Sequence, residues 1–359
     1  MRAAVCREFN KPLVIEEVVL RPPGPGEVRV SIKACAICHS DIFYLEGAWG
    51  GDLPAVYGHE AAGVVDKVGE GVFGVSVGDH VIVTLIRYCG QCLPCTDGMP
   101  VLCENSFALD SSGPIAAKDG TPIKQGMRTG AFAEQVVVDV SQVVPVSSDV
   151  PFASAALVAC AVLTGVGAVF NTAAVRAGSS VVVIGAGGVG LNAIQAAALA
   201  GARAVIAIDV VETKLRAARQ FGATEIINSR HENTRDLVRA ATGGRGADYV
   251  FVTVGAPNVV ELGFELIRRG GSLVLVGMPA TGVMASFDPG NFANDGQKVL
   301  GSKMGSARPQ IDVPMILGFY REGRLKLDEL VTACYPLTEI NEAVAAARSG
   351  EALRNVILF

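Results

Sequence analysis

The sequence predicts an α/β protein with one β-rich domain and a second domain built on a doubly wound parallel sheet. Three observations favour this class. The first 150 or so residues hold short apolar runs separated by glycine- and proline-rich turns, and after them strand-like and helix-like segments alternate. The chain has 359 residues, 50% of them apolar, which is enough for two hydrophobic cores.

The β-rich part is predicted from runs at 28–33, 62–68 and 80–83, with turns at 22–26 and 69–71 between them. Short strands joined by such turns favour a partly open barrel. The alternating part predicts strands at 181–184, 204–208, 225–227, 249–254 and 272–276, and helices at 191–200, 214–221, 234–241 and 259–267. Arg268 and Arg269 are predicted to end the last of these helices, where positive charge offsets the helix dipole, and not to bind an anion.

From about residue 303 the pattern becomes mixed again and ends in a predicted strand at 355–359. We therefore expect residues 1–161 and 303–359 to form the first domain and residues 162–302 the second. The formal net charge of −5 argues against a nucleic-acid partner. The apolar run 152–170 has the length of a membrane span, but its small residues and lack of basic flanks favour a buried helix, and no membrane partner is expected.

Nine cysteines and no secretory signal at the N-terminus predict a reducing, cytoplasmic location and metal binding by thiolates. The spacing of Cys89, Cys92, Cys95 and Cys103 suits four thiolates around one structural zinc ion, with no position left for water. The competing interpretation is a set of buried or disulfide-paired cysteines. A nucleic-acid zinc module would normally lie on a basic face, which this acidic chain does not suggest.

A glycine-rich turn lies between a predicted buried strand and an alanine-rich helix: Gly185, Gly187, Gly188, Val189 and Gly190. Such a turn lets the backbone approach a pyrophosphate, which the helix N-terminus then binds. Asp209 follows the next strand, where a carboxylate accepts the ribose hydroxyls and repels a 2′-phosphate, so NAD is favoured over NADP. The competing interpretation is a plain turn with an incidental Asp. Lys214 either approaches the same ribose or is a solvated helix residue.

Potential metal ligands also occur outside the four-cysteine segment. Polar residues cluster at Cys38 and Asp41 and at His59 and Glu60, and Cys160 stands alone in an apolar stretch. Two thiolates and one imidazole from this set would leave a catalytic zinc one open position. Spacing makes Cys38 and His59 a reasonable pair, whereas nothing in the pattern brings Cys160 to them.

Taken together, these motifs resemble the medium-chain, zinc-dependent alcohol dehydrogenases from end to end, including the closing segment 353–359. The resemblance implies a GroES-like catalytic domain, a Rossmann domain, NAD, two zinc ions per subunit and a homodimer or homotetramer. It implies Cys38, His59 and Cys160 as catalytic zinc ligands and oxidation of an alcohol to an aldehyde or ketone.

Further roles follow from the same resemblance. Ser40 would begin the proton relay, Asp41 would hold the ring of His59, and Glu60 would lie behind the zinc beside Arg354, which the family places near the pyrophosphate. His39, Val276 and Met278 are assigned to the cofactor, and Trp49, Leu85 and Met127 to the substrate pocket. Ser40, Glu60 and Arg354 could instead be surface residues, and Trp49 a core or subunit-contact residue.

Departures from the family pattern narrow the substrate. Phe43 replaces the histidine that ends the relay in liver-type enzymes, and His39 replaces an arginine that grips the pyrophosphate. Phe107, Trp49 and Gly51 replace the charged residues of the glutathione-dependent formaldehyde dehydrogenases, which argues against a glutathione adduct. An apolar pocket with Leu85 and Trp49 favours medium-chain or aromatic alcohols. The alternatives are an enzyme of this family that retains its NAD, acting as a nicotinoprotein or dismutase, and a non-catalytic NAD-binding protein.

Overall fold

The computed structural model describes residues 1–350 and 352–359 and divides into two compact units. The first unit comprises Met1–Ala161, Arg308–Gly318 and Leu327–Phe359, and the second comprises Val162–Ala307 and Phe319–Lys326. The chain first passes from one unit to the other after Ala161, and the sequence-based expectation placed this junction between residues 161 and 162. The return differs from the expected residue 303, since residues 303–307 and 319–326 group with the second unit.

The N-terminal segment is rich in short strands. Its strands are β1 (Arg2–Cys6), β2 (Val14–Leu20), β3 (Glu27–Ala36), β4 (Ala55–Val56), β5 (Glu60–Val68), β6 (His80–Val83), β7 (Ile115–Ala117), β8 (Pro122–Gln125), β9 (Gln135–Asp139) and β10 (Val143–Pro145). Its helices are α1 (His39–Leu45), α2 (Leu93–Thr96), α3 (Ala108–Ser111) and α4 (Phe152–Leu157). Strands β1, β2, β7, β8 and β4 close a barrel, so the prediction of a partly open barrel is wrong in this respect.

A long apolar helix follows, running from Phe152 to Thr172 with a mean hydropathy of 2.1. It begins with α4 and includes α5 (Leu163–Gly167), with π-helical turns at Val158–Val162 and Ala168–Thr172. By length and composition it could cross a membrane, but 89% of its most apolar window is buried within the folded chain. This burial agrees with the interpretation of the segment as a core helix.

The second unit is organised around one parallel sheet. Its elements are β11 (Ser180–Ile184), α6 (Gly188–Leu199), β12 (Ala204–Asp209), α7 (Glu212–Gln220), β13 (Glu225–Asn228), α8 (Thr234–Ala241), β14 (Ala247–Val252), α9 (Pro257–Leu266), β15 (Ile267–Leu275), α10 (Pro289–Asn294) and β16 (Lys298–Gly301). The strand order is β13-β12-β11-β14-β15-β16. Because the order reverses beside β11, the turn after that strand is where a doubly wound sheet binds a dinucleotide.

The chain ends with α11 (Pro309–Arg321), β17 (Val331–Pro336), α12 (Ile340–Arg348) and β18 (Arg354–Leu358). Strand β18 joins β17 to β3 and completes a seven-stranded sheet in the first unit. In this way the last strand of the chain is hydrogen-bonded beside the segment that leads to Cys38, with the Ile37 N–H donating to the carbonyl of Asn355 at 2.9 Å.

One element prediction is wrong. Helix α9 ends at Leu266, and Arg268 and Arg269 lie in the first residues of β15 instead of at a helix C-terminus. Ile267 already has extended backbone angles, and its side chain is buried at the start of the strand. The apolar pattern continued from helix to strand with no glycine or proline between them, so periodicity alone did not locate the break.

Candidate active site

Four cysteines form a compact cluster in the first unit. The sulfur atoms of Cys89, Cys92, Cys95 and Cys103 all lie within 4.8 Å of one another. The Cys89 N–H donates to Cys103 Sγ and the Cys92 N–H to Cys89 Sγ, both at 3.3 Å. Backbone N–H groups of Glu104 and Cys95 lower the pKa of the Cys92 thiol to about 6. Backbone donors that favour thiolates, on a segment of this length, suit a four-sulfur structural zinc site.

The second cluster brings together residues from distant parts of the chain. Ligand atoms of Cys38, His59, Glu60 and Cys160 lie within 4.8 Å of one another, and all four residues are buried. None of the nine cysteines, all within the described residues, forms a disulfide. The structure therefore supplies the convergence of Cys160 with Cys38 and His59 that spacing alone could not predict.

Asp41 organises this cluster. Cys38 is the N-cap of α1, and Asp41, three residues into the helix, accepts the Cys38 N–H through Oδ2 at 2.9 Å. Its Oδ1 accepts the Gly58 N–H at 3.0 Å and lies 3.2 Å from Nδ1 of His59. Because a carboxylate only accepts hydrogen bonds, His59 carries its proton on Nδ1 and leaves the Nε2 lone pair for a metal.

Gly58 sets the position of His59. Its φ is +92°, and a Cβ there would lie 2.7 Å from both the backbone nitrogen and the ring of Phe132. Only glycine fits both the left-handed backbone and this close approach. The Gly-His-Glu sequence therefore has a steric reason, since it brings the imidazole to the start of β5.

Cys160 lies in the first π-helical turn of the long helix. A π-turn widens the helix by one residue and is frequent at functional sites. Here it occurs where the helix presents a thiol to the cluster. Cys160 Sγ shares a hydrogen bond with Cys38, which lowers the pKa of the Cys38 thiol and raises that of Cys160.

Charges around the cluster are buried as well. Burial raises the pKa of Glu60 to about 8, against the opposing effect of the nearby Arg354 guanidinium. Arg354 Nη2 lies 3.7 Å from Glu60 Oε1, and the Arg354 side chain is only 8% exposed. Burial alone would lower the pKa of His59, but the carboxylate of Asp41 outweighs it and raises that pKa.

These residues fit a divalent metal ion. Among the described residues, the buried atoms without a hydrogen-bond partner include His59 Nε2 and both carboxylate oxygens of Glu60. A buried polar atom without a partner costs free energy, and a bound cation removes that cost. Two thiolates and one imidazole are ligands that zinc prefers.

The glycine turn in the second unit has the geometry expected for dinucleotide binding. Gly185 has φ +100°, and a Cβ on Gly190 would lie 1.7 Å from the Gly185 carbonyl oxygen, so that position requires glycine. A Cβ on Gly187 would meet nothing within 4 Å, which leaves open space in front of the turn. Helix α6 begins at Gly188 with Val189 in its first turn, and no side chain caps it. Its first N–H groups can therefore bind phosphate oxygens.

The other residues assigned to the cofactor lie in different settings. Asp209 ends β12, and its carboxylate accepts the Ala186 N–H at 2.7 Å and the N–H groups of Val210 and Val211. It therefore steadies the glycine turn and retains limited capacity for a ribose hydroxyl. Lys214 is half-buried on α7, Val276 is buried just after β15, and Met278 is 59% exposed.

The residues assigned to the substrate are half-buried in the first unit: Ser40, Trp49, Leu85 and Met127. His39 is exposed and contacts Phe43 edge to face at 5.9 Å. The ring centres of Phe43 and Trp49 lie 5.1 Å apart. The ring centre of Tyr44 lies 5.3 Å from that of Trp49 and 5.5 Å from that of Tyr57. Sequence reasoning missed this continuous row of rings, although Phe43 and Tyr44 lie in α1, the helix that follows Cys38.

A buried arginine was also missed. Arg87 Nε donates to Gln142 at 2.7 Å, its Nη1 donates to Asp110 at 3.0 Å, and its side chain is fully buried. The guanidinium lies 5.7 Å from the ring centre of Phe107. The proximity of Arg87 to the Cys89 segment was visible in the sequence, but nothing there indicated that the charge is buried.

The fold and both clusters are typical of zinc-dependent oxidoreductases with a dinucleotide-binding sheet. Residues 24–148 match the alcohol dehydrogenase GroES-like domain, and residues 188–319 match the zinc-binding dehydrogenase domain. The chain belongs to the medium-chain, zinc-dependent alcohol dehydrogenase family.

Relatives match over the whole chain. S-(hydroxymethyl)glutathione dehydrogenase of Paracoccus denitrificans is 38% identical over 100% of this chain and 99% of its own length. NDMA-dependent alcohol dehydrogenase of Amycolatopsis methanolica is 38% identical over 99% of this chain and 98% of its own length. The crystal structure of benzyl alcohol dehydrogenase from Acinetobacter calcoaceticus has a TM-score of 0.93 and 32% identity over 100% of this chain and 99% of that one.

The role of Asp41 can be tested by its replacement. In Asp41→Asn we expect the affinity for the metal of the second cluster to fall about 10- to 100-fold, because the His59 ring loses the partner that fixes its tautomer. Zinc retained after titration with a chelator measures the change. The exposed turn carboxylate Asp119 provides the control Asp119→Asn, for which zinc retention should equal that of the unaltered protein. Retention unchanged in Asp41→Asn would contradict this role.

Proposed function

We propose that this protein is an NAD-dependent zinc alcohol dehydrogenase that reversibly oxidises medium-chain or aromatic alcohols to aldehydes or ketones, primary alcohols above all. The observation that carries the proposal is the buried cluster of Cys38, His59 and Cys160, with its unpartnered Nε2. These three residues would hold a zinc ion and leave it accessible to the substrate oxygen. The four-cysteine cluster would hold a second, structural zinc.

The bound zinc would favour loss of the alcohol proton and polarise the carbonyl in the reverse direction. The protein's own residues then have separate roles. Asp41 fixes the ring of His59, and Glu60 with Arg354 sets the buried charge beside the ligands. Ser40 Oγ would receive the proton from the substrate hydroxyl. Phe43 carries no acid or base, so the proton must pass from Ser40 towards solvent without it.

The substrate class is inferred from the aromatic row. Phe43, Trp49 and Tyr44 are half-buried and packed edge to face, which forms a continuous aromatic surface in the first unit. Aromatic rings pack favourably against such a surface, and Leu85 and Met127 add adaptable apolar surface. The structural likeness to a benzyl alcohol dehydrogenase favours the same class.

A glutathione adduct is the less favoured substrate, despite the relative that acts on S-(hydroxymethyl)glutathione. Such a substrate carries carboxylates that need accessible positive charge. At the position of the expected arginine stands Phe107, and the guanidinium of Arg87, 5.7 Å from the centre of its ring, is buried and already hydrogen-bonded to Gln142 and Asp110.

NAD is proposed as the cofactor because Asp209 would repel the 2′-phosphate of NADP. The family resemblance and the thiol-rich clusters favour a soluble, cytoplasmic homodimer or homotetramer.

A second candidate is an enzyme that retains its NAD through turnover, and the NDMA-dependent relative favours it. In that case the purified protein would carry bound NAD(H), and turnover would need NDMA and no added NAD.

Formation of NADH from NAD with ethanol, hexanol, octanol, benzyl alcohol and cinnamyl alcohol tests the proposal. We expect the rate of NADH formation to rise with the chain length or aromatic character of the alcohol. We also expect metal analysis of the same protein to find two zinc ions per subunit. In Trp49→Ala we expect kcat/KM for benzyl alcohol to fall about tenfold relative to ethanol, because the central ring of the aromatic row is lost. Trp49→Phe serves as the matched control and should retain most of the preference.

A preference for ethanol over the larger alcohols would refute the substrate class while leaving the enzyme class intact. No turnover with NAD or with NDMA across the panel, in protein containing both zinc ions, would refute the proposed activity itself.

A further inference from the structure

A polar recess lies in the second unit, at the amino ends of the parallel strands. Its volume is about 680 Å³. Ser180 begins β11, Asp248 is the second residue of β14, and Ile267 begins β15. The glycine turn follows the other end of β11, and five residues of strand span about 16 Å. The recess is therefore a separate place from the dinucleotide turn.

The lining of this recess is strongly basic. It contains two carboxylates and five guanidinium groups: Asp248, Asp295, Arg203, Arg239, Arg245, Arg268 and Arg269. The formal charge of these groups is thus three positive, in a chain whose net charge is −5. We call these five arginines and their cavity the arginine recess.

Internal ion pairs account for only part of this charge. Arg268 Nε donates to Asp248 Oδ1 at 2.6 Å, and Arg269 Nε lies 3.1 Å from Asp295 Oδ1. The other oxygen of Asp248 accepts both the N–H and the hydroxyl of Ser180 at 2.7 Å. Both carboxylates are therefore already engaged.

The other three arginines of the recess are not paired with these two carboxylates. Among the described residues, Arg203, Arg239 and Arg245 form no ion pair. Arg239 lies in the last turn of α8, where its charge offsets the helix dipole. Arg203 and Arg245 have no such explanation, because Arg203 precedes β12 and Arg245 lies in a glycine turn between Gly244 and Gly246.

Like charges that line one recess repel each other, and this cost falls when an anion binds between them. Guanidinium groups match phosphate oxygens through paired hydrogen bonds. The volume lies within the range of small-molecule sites and exceeds what a single phosphate needs. A concave site on a chain with net negative charge suits a small anion better than a nucleic-acid backbone.

We propose that the arginine recess binds a small polyphosphate anion, either inorganic or as the phosphate chain of a nucleotide. The site is distinct from the glycine turn, and it does not depend on the proposed enzymatic activity. Binding would join the first residues of β11, β14 and β15 through one ligand, so it should also raise the melting temperature.

Calorimetric titration of the full-length protein with tripolyphosphate tests this proposal. We expect saturable binding with one site per chain that saturating NADH leaves unchanged. In the double variant Arg203→Gln/Arg245→Gln, the affinity should fall at least about tenfold, since two charged hydrogen-bond donors to the phosphate oxygens are lost. Arg235→Gln is the matched control, because Arg235 lies on α8, is exposed and does not line the recess.

Two further probes define the ligand. Orthophosphate should bind at least tenfold more weakly than tripolyphosphate. A nucleoside triphosphate that binds as tightly as tripolyphosphate assigns the site to the phosphate chain alone, and tighter binding assigns it to a nucleotide. The proposal is overturned by absent binding at millimolar tripolyphosphate, by equal affinity for orthophosphate, by competition with NADH, or by an equal loss in Arg235→Gln.

Discussion

Replacing Cys160 by serine is expected to remove one of two zinc ions per subunit and to lower kcat/KM for alcohols by at least about a thousandfold. A serine hydroxyl has nearly the size of the thiol but stays protonated and binds zinc poorly. A catalytic zinc contributes several kcal/mol of transition-state stabilisation, and each 1.36 kcal/mol is a factor of ten in rate. Metal analysis and steady-state kinetics on one preparation measure both effects.

Cys6→Ser is the matched control. Cys6 is also buried, and its Sγ donates to the Glu8 carbonyl, a bond that a serine hydroxyl can replace. This variant should keep both zinc ions and its activity. The melting temperature of Cys160→Ser should stay within a few degrees of the unaltered protein, which separates loss of the metal from loss of the fold. Full zinc content with activity within tenfold of normal would rule out Cys160 as a ligand.

Replacing Cys92 by serine should act on stability first. The cluster of Cys89, Cys92, Cys95 and Cys103 holds a segment with little core of its own, since Leu93 is 71% and Leu102 44% exposed. Structural zinc contributes about 10–16 kcal/mol in small zinc-finger peptides, so loss of one ligand should release the metal and unfold the segment. We expect a melting temperature lower by about 5 °C or more and rapid cleavage between residues 89 and 103 by chymotrypsin.

The control for this variant is Cys334→Ser, an exposed thiol on β17. It should alter neither zinc content nor cleavage. The cluster of Cys38, His59 and Cys160 should keep its metal in Cys92→Ser, so activity measured at low temperature should fall far less than in Cys160→Ser. Unchanged protease resistance together with the loss of one zinc would show that the segment folds without its metal.

How much the sequence could predict depended on how local each feature is. The four cysteines of the structural cluster lie within one short segment, so their spacing alone indicated a tetrahedral site. The glycine turn was equally local, because strand, turn and helix follow one another along the chain. The convergence of Cys160 with Cys38 and His59 depends on tertiary folding, and only the family resemblance indicated it.

Other features could not be predicted because their cause is tertiary packing. The barrel closes through the pairing of β4 with both β1 and β8, and β4 has only two residues, too few for a recognisable pattern. The row of rings from Phe43 to Tyr57 depends on how α1 packs beside the segment that precedes Gly58. Arg268 and Arg269 were assigned to the end of a helix because Gly270 and Gly271 follow them, and their part in a basic recess required the sheet to be formed.

The π-helical turn at Val158–Val162 makes the active centre sensitive to chain length as well as to side-chain chemistry. A π-turn corresponds to one extra residue in an α-helix, and each α-helical residue advances by about 100° around the axis. Deleting a single codon beside Cys160 would restore a regular and more favourable helix, yet it would rotate the thiol away from its partners. Natural selection should therefore tolerate many apolar substitutions in this helix but remove single-residue deletions beside Cys160. A sequence comparison that closes such a gap would align the wrong residue with Cys160.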